Sequence, residues 1–253
     1  MRLLSRRRSP ARVDWRVTHQ VAAWCLGYPD ENLFGRLDLM RAALAEQEAT
    51  EASDPLHRFL THAETGDRAA LAQHYTDVFD LSRKRTLYLS YWSSGDTRQR
   101  GAVLAEFKQL YRDSGFVVDL HGELPDHLPI VLEFTALADP ERGASVLADH
   151  RAALELIRFA LLDAASPYAD VLAAVCATLP GDSPPDRAAA IAMGPRRPAV
   201  EAVGLEPYGS WAPTVDADGS PAPRLLPLFT DTESTDSELF TDPGLFNDSE
   251  KAF

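Results

Sequence analysis

Cysteine is nearly missing from this chain of 253 residues: Cys25 and Cys176 are the only two, and they lie far apart. Each falls within an apolar helical pattern, so the sequence predicts two buried structural thiols and neither a disulfide framework nor a thiolate metal site. Long hydrophobic runs are missing too. No stretch reaches the roughly 18 apolar residues of a membrane-spanning helix. The opening MRLLSRRRSP has the arginines of a twin-arginine or secretory signal, yet Asp14, Arg16, His19 and Gln20 interrupt the place where its apolar core should follow. A cytoplasmic protein is therefore expected. Strand alternation is also absent, since FVVDL at 116–120 is the one β-branched run and is too short to pair alone.

Positive charge is scarce beyond the first residues. Residues 1–16 carry six Arg against one Asp, whereas residues 182–253 carry five Lys or Arg against thirteen Asp or Glu, within a total of −13. An acidic body repels phosphate backbones and anionic lipid and attracts basic partners, so nucleic acid is not an expected ligand. The common enzyme signatures are missing as well. GDTRQRG at 95–101 lacks the Lys-Ser/Thr pair of a P-loop and is not G-x-G-x-x-G, and no G-x-S-x-G elbow occurs.

What is present is helical periodicity. Val17, Val21, Trp24, Cys25 and Tyr28 mark one face, and Leu33, Leu37, Met40 and Leu44 a second helix. SDPLHRFL begins a third, with Ser53 placed to cap it. Leu71, Tyr75, Val78 and Phe79 mark a fourth, and Leu104, Phe107, Leu110 and Tyr111 a fifth that Gly115 closes. Then come one through Leu128 to Phe134, a long one holding Leu147, Leu154, Ile157 and Leu161, and a last one after Ser166 and Pro167. The fold class is all-α: a single helical bundle over residues 13–180, preceded by a basic disordered start at 1–12. Ten of the eighteen prolines fall in residues 182–253, so 181–253 reads as an acidic, Pro-rich disordered tail.

Two stretches hold the unusual chemistry, GDTRQRG and GELPDHLPIVLEF at 122–134. His121, Glu123, Asp126 and His127 are metal-ligating types, and a small metal-dependent all-α enzyme is the alternative they raise. Pro125 and Pro129 break the regular ligand spacing, however. A structural reading covers the same residues: Pro125 opens a helix, Asp126 and Glu123 serve its N-terminal end, and Asp96 with Gln99 forms a capping box. Arg98 and Arg100 then need compensation, which Glu123, Asp126 and Glu133 could supply in a clasp between the two stretches.

YTDVFDLSRKRTLYLSYWSSGDTRQRG and ELPDHLPIVLEF, with LGYPD, FKQLYRDSGF and SPYADVL in the same order, resemble the NarJ family, assembly chaperones of respiratory nitrate reductase. The resemblance covers residues 15–180. It implies an all-helical protein of the redox-enzyme maturation chaperone type with no cofactor of its own. Its implied partner is the apo catalytic (alpha) subunit of nitrate reductase, including that subunit's N-terminal segment, which is held ready for molybdenum bis-guanine dinucleotide before membrane attachment. A chaperone for a different molybdenum oxidoreductase is the neighbouring reading. The expected partner-binding residues are Tyr88, Tyr91, Trp92, Asp96, Arg98, Arg100, Glu123, Asp126, His127 and Glu133, where aromatics would receive an apolar helix face and acids a basic one.

Overall fold

Spacings of three and four residues place the apolar side chains of each segment on one helical face, and a computed structural model, which describes residues 13–82, 85–94 and 98–194, is built almost wholly of such faces. In chain order its helices are α1 (Arg16–Cys25), α2 (Glu31–Gly35), α3 (Leu37–Ala45), α4 (Ser53–Thr65), α5 (Arg68–Tyr75), a π-helical turn (Thr76–Asp80), and α6 (Leu89–Ser94). After these come α7 (Arg98–Asp113), α8 (Leu128–Leu137), α9 (Pro140–Asp149), α10 (Arg151–Asp163), α11 (Tyr168–Ala177) and α12 (Arg187–Met193). The described residues contain no strand, only one isolated antiparallel bridge between Tyr88 and His127. The all-α class holds.

The core is built around α1, which lies against α8 and α11, while α11 also packs on α4 and α10. Val21, Ala22 and Cys25 of α1 meet a nearly continuous apolar α8, in which Leu128, Val131 and Leu132 are fully buried. Both cysteines are buried and free, and burial pushes both thiols well up. His19, on the same face of α1, bonds through Nε2 to Thr178 Oγ1 at 2.9 Å. Thr178 gives its own proton to the Val175 carbonyl, so the imidazole is the donor.

Several boundaries differ from the sequence expectation. Leu33, Leu37, Met40 and Leu44 are all buried but fall on two helices, because the Asp30 carboxylate caps a short α2 that ends at Gly35. The long helix expected through Leu147 and Leu161 is likewise two, with Asp139 capping the first and the break at His150. Ser53 lies inside the first turn of α4 and accepts from the Thr50 N–H rather than capping. Asp96, half of the expected capping box, lies outside the described residues.

The largest correction concerns the end of the bundle. Residues after 180 were expected to lack helix, yet α12 packs on α10 and buries Ala190 completely. Asp186 caps it, accepting from the Ala189 N–H. The preceding residues are held by a buried ionic group, in which fully buried Glu155 accepts from Arg158 at 2.7 Å and from the Ser183 hydroxyl at 2.6 Å. Arg151 donates to the Pro180 carbonyl. Such a short alanine-rich helix has little intrinsic signal, and its stability comes from packing.

α8 and α9 touch where Gly143 meets Thr135. A Cβ on Gly143 would stand 2.2 Å from Thr135 Oγ1 and 2.7 Å from its Cα, so only glycine allows this approach.

Candidate functional site

The chain from Leu87 to Leu89 runs antiparallel to that from Asp126 to Leu128: Leu128 N–H donates to Leu87 O at 2.9 Å and Leu89 N–H to Asp126 O at 3.1 Å. This bridge joins the second of the two stretches singled out in the sequence to the aromatic segment that precedes the first. Beside it the Tyr88 hydroxyl donates to the Glu123 carboxylate, and the Tyr88 ring lies 5.2 Å from that of His127. Burial, then the bond to Glu123, pushes the Tyr88 phenol well above its usual range. Burial also holds the His127 imidazole below its ordinary value, against the pull of Glu123 and Asp126.

Asp126 is fully buried, so it neither faces a partner nor serves the N-terminus of α8, which begins at Leu128 with Pro129 in its first turn. Its Oδ2 instead accepts from the Ser90 N–H at 2.9 Å and the Ser90 hydroxyl at 2.6 Å, at the start of α6. Ser90 Oγ in turn accepts from Arg100 Nε at 3.1 Å. The expected clasp is thus indirect. Among the described residues Arg100 forms no ion pair with Glu123, Asp126 or Glu133; it reaches Asp126 through a serine. The Arg100 guanidinium also lies over Tyr88 and Tyr91, 5.8 and 6.0 Å from their ring centroids. Glu133 is exposed on α8 and joins none of this. Trp92 turns away, donating to the Thr86 carbonyl at 3.0 Å and packing on the core. Arg98 is the first residue of α7.

Tyr88, Tyr91 and Arg100 wall a cleft of about 560 Å³ that is also lined by Phe79, Asp80, Ser82, Thr86 and Leu124. Phe79 and Asp80 come from the π turn, whose wider i to i+5 bond, Leu81 N–H to Thr76 O at 3.0 Å, shifts the helical register after α5. Leu124, in the lining, is 38% exposed, and Leu81, which follows Asp80 in the chain, is 75% exposed. Sequence reasoning did not include Phe79, Asp80, Leu124 or Ser90 among the binding residues. A π turn leaves no mark in a 3.6-residue period, and Ser90 is a single hydroxyl in an aromatic stretch. Metal chemistry gains no geometry here: His121 is exposed with its N–H on Asp119, and the described residues hold no group of three or more metal-ligating side chains.

The stretch containing the whole cleft is also what the chain shares with known proteins, for the family described as nitrate reductase delta subunit matches residues 43–174. The chain belongs to this family. A Bacillus subtilis (strain 168) member, described as "probable nitrate reductase molybdenum cofactor assembly chaperone NarJ", is 32% identical over 166 residues, which cover 66% of this chain and 90% of that protein. The Escherichia coli (strain K12) nitrate reductase molybdenum cofactor assembly chaperone NarJ is 30% identical over 146 residues, 57% of this chain and 61% of that one. The nitrate reductase-like protein NarX of Mycobacterium tuberculosis (strain H37Rv) is 40% identical over 164 residues, 65% of this chain but only 24% of its own length. Within the delta-subunit match lie the π turn, α6, α7, α8 and the bridge; α1, α12 and the acidic tail fall outside it.

Proposed function

We propose that this protein is an assembly chaperone, without catalytic activity or a cofactor of its own, that binds the apo catalytic subunit of respiratory nitrate reductase in the cytoplasm. It holds that subunit, including its N-terminal segment, open to molybdenum bis-guanine dinucleotide and delays its attachment to the membrane. One observation carries the reading: an open cleft with aromatic walls, where a bridge and side-chain hydrogen bonds bring the segment around Tyr88 against that around His127, inside the region shared with the delta-subunit family. Tyrosine-walled grooves of this kind suit an amphipathic helix laid in by its apolar face. An acidic body adds long-range attraction for basic residues flanking that helix. No helix among the described residues is long and apolar enough to cross a membrane.

Titration of a peptide from the partner's N-terminus tests it. Expected are a negative heat-capacity change, weakening as salt rises, and loss of binding in Tyr91→Ala with the fold intact. Co-purification of the catalytic subunit from nitrate-respiring cells by the wild type and equally by Tyr91→Ala would move the contact elsewhere on the bundle.

A further inference from the structure

The cleft lining carries one charge of each sign. Asp80 is exposed on the π turn, and its pairing with a cation would be a solvent-screened contact of small effect. Arg100 is different. It is half-buried, its Nε is committed to Ser90, and Ser90 is fixed by the fully buried Asp126. Its guanidinium carbon lies 5.8 Å from the Tyr88 ring centroid and 6.0 Å from that of Tyr91. With Nε turned to the protein, what remains is the edge bearing the two terminal nitrogens, and among the described residues these donate to nothing. A guanidinium oriented by a buried acid through a serine, with that edge left over, is a preorganised fork for a planar two-oxygen acceptor.

We infer that Arg100 grips a side-chain carboxylate of the docked segment, so the occupant of the cleft is an amphipathic helix that presents an Asp or Glu beside its apolar face. The inference rests on the docking reading above and specifies its chemistry: basic residues of the partner serve attraction at long range, and an acidic one sets the register in the cleft. A pyrophosphate is the poorer match, because one guanidinium stands alone among Asp80, Glu123 and Asp126 and cannot balance two or more negative charges.

The test uses two blocked, leucine-rich helical peptides that are identical except for one central Glu or Gln, titrated against the full chain and against Arg100→Gln and Arg100→Lys, with circular dichroism confirming that both variants fold. Expected is a preference for the Glu peptide of about tenfold in the wild type, abolished in Arg100→Gln and reduced in Arg100→Lys, which keeps the charge but loses the fork. Equal binding of the two peptides by the wild type, a preference that survives Arg100→Gln, or no binding of either peptide overturns the inference. So does displacement of the Glu peptide by inorganic phosphate at concentrations where acetate has no effect. If the Glu preference holds while the N-terminal peptide of the nitrate reductase catalytic subunit fails to bind, the carboxylate site stands and the proposed partner falls.

Discussion

Tyr88 and Glu123 are joined by a hydrogen bond from phenol to carboxylate, and through it an acid in the loop between α7 and α8 fixes the ring that walls the cleft. Tyr88→Phe keeps the ring and deletes the bond. Because Glu123 is half-exposed and can recover water, the loss should be modest, about 1 kcal/mol in urea denaturation. A variant as stable as the wild type would mean that the ring is held by packing alone.

His19 sets an acid limit on stability. The ring is 3% exposed, and burial lowers its pKa to about 4 from an ordinary value near 6.5. Between these values the unfolded chain binds a proton that the folded one refuses, so the contribution is intact above about pH 6.5 and drains away as pH falls towards 4. The loss should be on the order of 3 kcal/mol. Guanidinium melts at pH 7 and pH 4.5 should show it, and His19→Gln, which retains a donor for Thr178, should reduce the difference, leaving the part due to other buried histidines such as His127. An equal pH dependence in the variant would remove His19 from the account.

Gly143→Ala should be among the most damaging single-methyl changes available. The new carbon would overlap backbone and side chain of Thr135 alike, so α8 and α9 must separate, at about 1–3 kcal/mol or more. Thermal unfolding reads the loss, and Gly35→Ala, where the added carbon meets nothing, is the control.

Where the bundle ends can be tested by truncation. A chain stopped after residue 194 should melt like the full protein, whereas one stopped after 181 loses the Ser183 bond to Glu155, the 2.5 Å pair of Arg187 with Asp163 and the burial of Ala190. Expected is a loss of about 2 kcal/mol, or roughly 4–8 °C in Tm. Equal melting of the two truncations would return the boundary to 181.

The helices were legible in the sequence because their faces are apolar at regular spacing, as in α1 and α8. Boundaries set by a single polar contact, such as the Asp30 cap or the break at His150, were not. At the site, sequence patterns marked Tyr88, Tyr91, Arg100 and Asp126 as unusual but could not assign their partners. Asp126 looked like a surface acid at a helix start and is instead a fully buried brace for Ser90, because the chain returns across α6 from far along the sequence. Composition alone hid α12, since alanines flanked by proline and glycine signal neither helix nor contact.

The bridge between Tyr88 and His127 also makes the cleft a non-local feature of the chain. Its two edges are separated by the whole of α6, α7 and the following loop, and that segment must be closed before either edge has a neighbour. A chain in which this segment has not closed therefore lacks the junction that the cleft is built on. The cleft is thus a property that the chain acquires only once the segment from Tyr88 to His127 has closed on itself.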